Sequence, residues 1–316
     1  MQSNFPVTLE SIQSAQQRIK EKVYYTPLLK SDSINKLLDA EVYFKCENLQ
    51  RIGAFKMRGA TNAVLKLKDK SKGVATHSSG NHAQALALAA KLENIPAYIV
   101  MPENAPQVKI NAVKDFGAQI TFCEPTLAAR EANLKSIVEK TGAIFIPPYD
   151  YWDVIEGQGT CALEIFEEVK PDLLFVPVGG GGLLAGSLIA SKSISADVKV
   201  FGCEPEGAND AYLSFSSGIR VTEQKPDTIA DGLLTTLGEK NFKVIKELCD
   251  GILTVNDKHI VRSIKYIFER LKIVVEPSAA VGLAAAFCNK ELVKGRKIVI
   301  ILSGGNVDPG RLSNLF

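Results

Sequence analysis

Leu173-Leu174-Phe175-Val176-Pro177-Val178-Gly179-Gly180-Gly181-Gly182-Leu183-Leu184-Ala185-Gly186 joins an apolar run to a glycine loop and the start of a helix. Its first six residues are continuously apolar rather than alternating, the pattern of a strand covered on both faces, as in a parallel α/β sheet. Four glycines follow, with no Cβ to keep backbone N–H groups from converging on an anion. The helix that opens at Gly182 adds the positive end of its dipole. A purely structural turn rarely needs four glycines in succession, so the loop reads as a phosphate cradle.

The same grammar recurs along the chain. Residues 97–101, 119–122, 198–201 and 297–302 are further strand-like runs, and residues 82–93, 126–141 and 182–193 have helical length. Strand and helix alternating this often predicts an α/β protein with open, mostly parallel, twisted sheets. Pro147-Pro148-Tyr149-Asp150 stops a strand and marks a boundary. The expected organisation is a large domain from residues 1–63 and 152–316 and a small inserted α/β domain from 73–150, with an active site in the cleft between them.

Composition narrows the function. Of 316 residues, 46% are hydrophobic and 23% charged, which excludes general disorder. The net charge of +2 is too small and too evenly spread for a nucleic-acid or membrane surface. No apolar run approaches bilayer length, and residues 1–6 lack a signal-peptide core. Cys46, Cys123, Cys161, Cys203, Cys249 and Cys288 are scattered, as free thiols are in a reducing compartment, so a cytoplasmic location is expected.

Three further motifs carry chemistry. In Gly53-Ala54-Phe55-Lys56-Met57-Arg58-Gly59-Ala60, Lys56 reads either as a surface lysine or as a Schiff-base lysine whose desolvated amine attacks a carbonyl. In Thr76-His77-Ser78-Ser79-Gly80-Asn81-His82, Ser, Gly and Asn stand before a helix. They serve as an N-cap or as a pocket for a carboxylate at the helix's positive end. In Ile301-Leu302-Ser303-Gly304-Gly305-Asn306-Val307-Asp308, a strand again runs into glycines, and Ser303 at its carboxyl end can bond a ring nitrogen. A weaker alternative stays open, the dinucleotide turn of a dehydrogenase: Gly180, Gly182 and Gly186 roughly mimic its spacing, and Glu204 ends the next strand-like run.

Taken together and in this order, the four motifs resemble the fold-type II pyridoxal-phosphate enzymes, the tryptophan-synthase-β-like family. Within it the likeness is to the serine racemase and threonine (serine) dehydratase group, and it runs from Tyr25-Thr26-Pro27-Leu28 to Gly304-Gly305-Asn306. The resemblance implies that Lys56 bonds pyridoxal 5'-phosphate and then acts as base on one face of an amino-acid substrate. It implies that Phe55 packs beside the cofactor and that Asn81 bonds the ring hydroxyl. Gly179, Gly180, Gly181, Gly182 and Leu183 would hold the phosphate, Ser303 would meet the pyridine nitrogen, and Ser78, Ser79, Gly80, Asn81 and His82 would hold the substrate.

Racemisation needs a proton donor on the opposite face, a role that falls to Ser79 by the resemblance; many threonine dehydratases carry alanine there. The expected activity is therefore serine racemisation with accompanying elimination to pyruvate and ammonia, with dehydration of threonine, serine or 3-hydroxyaspartate as the alternative. Glu204-Pro205-Glu206-Gly207-Ala208-Asn209-Asp210 resembles the family's divalent-cation site. Carboxylates of Glu204 and Asp210 and the carbonyl of Ala208 would supply hard oxygen ligands for Mg²⁺, Ca²⁺ or Mn²⁺. Gln84, Lys109, Lys272 and Asn306 match positions that bind ATP in serine racemases, and a homodimer is expected on the same ground. Ala54 and Val108 replace a serine and a reactive cysteine of the animal racemases, so thiol regulation at 108 is not expected. The chain ends at Phe316 without the regulatory domain of amino-acid-controlled threonine dehydratases, so feedback by isoleucine is not expected.

Overall fold

The computed structural model describes residues 5–78, 80–105 and 107–316. Ten strands run in chain order: β1 Leu28–Lys30, β2 Glu41–Cys46, β3 Val74–His77, β4 Ala97–Pro102, β5 Gln119–Cys123, β6 Ile144–Phe145, β7 Leu173–Pro177, β8 Lys199–Pro205, β9 Gly251–Val255 and β10 Lys297–Leu302. They form a six-stranded sheet of order β1-β2-β10-β7-β8-β9 and a four-stranded sheet of order β5-β4-β3-β6. Every pairing is parallel except β1 on β2. The α/β architecture with open, mostly parallel sheets is the one the apolar runs predict.

Burial explains why those runs do not alternate. All five residues of β7 are buried, because helices cover both faces of the large sheet. On one face Phe44, Phe175 and Ile300 pack with helix Pro277–Cys288. On the other Leu174, Val176 and Ile301 meet helices Trp152–Glu168 and Gly182–Ile194. The small sheet packs on helices Lys56–Lys66 and Asn81–Leu92 through Met57, Val74, Leu86 and Ile99. Helix Leu127–Thr141 lies under its other face, capped by the Thr126 hydroxyl, which accepts from Ala129 N at 3.1 Å.

The helix that starts at Lys56 is tied into the large body. Arg58, fully buried, makes paired bonds to Glu47 at 2.7 and 2.8 Å and to Glu164 at 2.6 and 2.8 Å. Lys45 Nζ adds a bond of 2.7 Å to Glu164. The Asn62 amide donates to Asp153 O at 2.7 Å and to Glu156 at 2.9 Å. These contacts hold the first turn of the helix at the carboxyl edge of the large sheet, where α/β proteins collect ligands.

Candidate active site

Four loops beyond strand ends converge. The Phe55 amide donates to Ser303 O at 3.0 Å, and Gly305 N donates to Gly53 O at 2.8 Å. The segment before Lys56 is thus zipped to the loop after β10. Lys56 Nζ donates to Pro148 O at 2.7 Å and lies 5.2 Å from the Phe55 ring centre and 5.8 Å from that of Tyr149. Desolvation pushes its ammonium down to about 8 against the pull of Glu276, whose charge raises it. At pH 7 about one such amine in ten is neutral and nucleophilic, several hundred times the fraction of a solvated lysine.

The glycine loop after β7 sits beneath the same tyrosine. A Cβ on Gly180 would stand 2.3 Å from the Tyr149 ring, and Gly181 has φ +90°, so neither position takes a side chain without strain. Gly180, Gly181 and Gly182 are buried. Among the described residues, the amides of Gly179, Gly180 and Gly181 donate to no protein acceptor. The first amides of a helix also lack an intrahelical acceptor, and this one starts at Gly182. A buried run of free donors requires an acceptor, and a phosphate meets that need. The donor set fits pyridoxal phosphate: cradle, low-pKa lysine, and buried Ser303 at the end of β10.

Asn81 opens helix Asn81–Leu92. Its amide nitrogen faces Glu276 at 3.0 and 3.2 Å, and its oxygen accepts from Asn306 Nδ2 at 2.9 Å. His82 is turned inward: Nε2 meets Ile146 O at 3.0 Å, and burial with the nearby Lys56 charge pushes its pKa down to about 3, so the ring is neutral. Its Nδ1 is buried without a partner among the described residues. The Ser78 amide is committed to Val100 O at 3.1 Å, and Gly80 N donates to Ser78 Oγ at 3.3 Å. Ser79 lies outside the described residues.

Glu276 is the residue that motif reading passed over. Its carboxyl is buried and pushed up to about 7 by desolvation and by the charge of Asp231. It stands just before Pro277, which opens helix Pro277–Cys288. The available signal was a lone acid in Val274-Val275-Glu276-Pro277-Ser278-Ala279-Ala280, an apolar stretch with no reason to hold a charge.

The remaining expected residues lie elsewhere. Glu204 accepts from Tyr212 N at 2.6 Å and Ala211 N at 3.3 Å; Asp210 accepts from Leu237 N at 2.8 Å and Gln224 at 2.9 Å. Burial pushes Glu204 up to about 8 and Asp210 up to about 6, and the Asp210 charge pushes Glu204 further. Among the described residues no three acidic, histidine or cysteine side chains gather as a ligand set. The two desolvated carboxylates, with buried Ala208 between them in sequence, remain a donor set that a hard cation would neutralise. Lys109 and Asn306 line one cavity of about 340 Å³ with Asp231, to which Lys109 is paired at 2.8 Å. Gln84 is buried on helix Asn81–Leu92, and Lys272, exposed and left-handed at φ +61°, does not line that cavity. Gly186, the third glycine of the dinucleotide reading, lies within helix Gly182–Ile194 against Gly159 of the neighbouring helix.

Comparison with known proteins places this geometry. The chain belongs to the family of pyridoxal-phosphate-dependent enzymes, which matches residues 19–304. It is 49% identical to the serine racemase of Dictyostelium discoideum, over 98% of both chains. It is 52% identical to the L-threo-3-hydroxyaspartate ammonia-lyase of Saccharomyces cerevisiae, over 98% of this chain and 96% of the other. The solved structure of maize serine racemase superposes with a TM-score of 0.95 at 43% identity, covering 98% of this chain and 97% of that one. The fold is that of the fold-type II enzymes, and the family's cofactor displaces the dinucleotide reading of the glycine loop.

Proposed function

We propose that this protein interconverts L- and D-serine and, at the same site, eliminates the β-hydroxyl of serine as water, the released imine taking up water to give pyruvate and ammonia. The observation that carries the reading is the Lys56 amine, its pKa depressed to about 8, beside a buried glycine loop whose amides lack acceptors. When bound, pyridoxal phosphate supplies an aldehyde for the substrate amine and a ring that withdraws electrons as the Cα–H bond breaks. The chain supplies the rest. Gly179, Gly180, Gly181, Gly182 and Leu183 grip the phosphate, Phe55 packs against the ring, Asn81 meets its hydroxyl, and the Ser303 hydroxyl bonds its nitrogen.

Lys56 Nζ takes the Cα proton on one face, and Ser79 delivers a proton on the other. Ser303 cannot hand the ring a proton as a carboxylic acid does, which limits electron withdrawal and favours prompt reprotonation or loss of the β-hydroxyl. Residues 78–82 hold the substrate carboxylate at the start of helix Asn81–Leu92. Incubation of the purified protein with L-serine, followed by chiral chromatography, should yield both D-serine and pyruvate. Absence of both would overturn the reading.

A second reading, dehydration of 3-hydroxyaspartate or threonine, is favoured by the likeness to the yeast ammonia-lyase. It predicts that hydroxyaspartate gives oxaloacetate and ammonia faster than serine gives pyruvate. Three accessory features belong to the same proposal. A divalent cation, Mg²⁺, Ca²⁺ or Mn²⁺, sits on Glu204, Asp210 and the Ala208 carbonyl. ATP binds at Gln84, Lys109, Lys272 and Asn306, and the working unit is a homodimer. Six free cysteines support a cytoplasmic location, and no helix of the described residues is long and apolar enough to cross a membrane.

A further inference from the structure

Asn241 is fully buried in the first turn of helix Glu239–Leu248, well removed in sequence from every motif above. Its amide nitrogen faces two backbone carbonyls, Gly180 O at 2.6 Å and Tyr149 O at 3.3 Å. Facing two acceptors fixes which end of the amide is nitrogen. Gly180 O also accepts from Gly238 N at 3.1 Å. The same helix turn is clasped from the other side, because the Asp150 carboxylate accepts from Glu239 N at 3.1 Å and Lys240 N at 2.8 Å.

We propose that Asn241 is a positioning residue that aims the glycine cradle at the cofactor phosphate and couples the cradle to the segment that holds Lys56. In a planar trans peptide the C=O and the following N–H point in opposite directions. Two donors drawing Gly180 O away from the cradle therefore turn Gly181 N–H toward it, and that amide has no protein acceptor among the described residues. The second bond, to Tyr149 O, holds the backbone of the residue whose ring lies over Gly180, next to Pro148, whose carbonyl accepts from Lys56 Nζ. One side chain thus ties phosphate loop, cover and lysine in a single arrangement. Asn241 Oδ1 is buried without a partner among the described residues. An apolar side chain of similar size removes the orphaned acceptor and both hydrogen bonds, leaving Gly180 O with Gly238 N and Tyr149 O without this donor, so some loss of stability is expected beside the effect on binding.

The inference rests on the phosphate-cradle reading, and the test separates the two. Cofactor-free wild-type protein, Asn241→Leu and Asn241→Ala are titrated with pyridoxal phosphate and with pyridoxal, which lacks the phosphate, while melting temperature is recorded. Wild type should bind pyridoxal phosphate far more tightly than pyridoxal; equal affinities would overturn the cradle itself. In Asn241→Leu, affinity for pyridoxal phosphate should fall on the order of tenfold, as expected for a misaimed charge-assisted bond, while affinity for pyridoxal, which depends on the lysine segment alone, falls less. Unchanged phosphate discrimination in a folded variant, or equal loss for both ligands, would overturn the role of Asn241. Should the leucine variant not fold, the alanine variant is held to the same comparison.

Discussion

At the scale of single residues, the chemistry depends on one amine kept partly neutral. Burial lowers the Lys56 pKa to about 8, and the nearby Glu276 carboxylate raises it against that trend. Cofactor-free protein should therefore take up pyridoxal phosphate faster as pH rises through about 8, because only the neutral amine attacks the aldehyde. Glu276→Gln removes the opposing charge, so the midpoint of that pH–rate profile should move to lower pH. A midpoint that stayed fixed or rose would show that Glu276 does not act on the lysine. For the opposite face, Ser79→Ala should abolish D-serine formation from L-serine while sparing much of the pyruvate. Equal loss of both products would remove Ser79 from its role.

At the scale of elements, the first turn of helix Lys56–Lys66 is held by a buried ion cluster. Arg58 balances Glu47 and Glu164, and its positive charge keeps the Glu47 carboxyl below the usual range despite complete burial. Arg58→Met leaves Glu47 without its ion partner and should cost about 3–5 kcal/mol. For a chain of this size the melting temperature should fall by roughly 5 °C, measurable by calorimetry; an unchanged value would show that the cluster is not needed. None of this was visible beforehand. Arg58 reads as an ordinary charged residue because Glu47 and Glu164 lie 11 and 106 positions away. Lys56, the glycine loop and Ser303 were legible, since each stands in a local run of strand, glycine and helix that declares its place. Glu276 and Asn241 were not, because their partners come from other loops and only the folded chain brings them together.

At the scale of the molecule, the two sheets turn their carboxyl edges toward a shared space, and a few polar bridges cross it. Asn81, from the helix after β3, meets Glu276, and Lys109, from the helix after β4, meets Asp231. The alternation of strands and helices foretold the parallel sheets, because a strand buried on both faces must be apolar throughout. It did not foretell β6, two residues long, or β1, the antiparallel edge, because so short a strand carries no period of its own. The carboxylate pair Glu204 and Asp210 lies at the carboxyl end of β8, bonded to the turn that leads to Asn241. Chelator treatment should lower the melting temperature, with recovery on adding Mg²⁺ or Ca²⁺. No response would leave the pair without a cation.

The chemistry of the whole molecule turns on where the cofactor is attached. Borohydride reduction of the yellow holoenzyme, followed by proteolysis and mass spectrometry, should place a single pyridoxyl group on the peptide containing Lys56. Label on another lysine, or none, would contradict it.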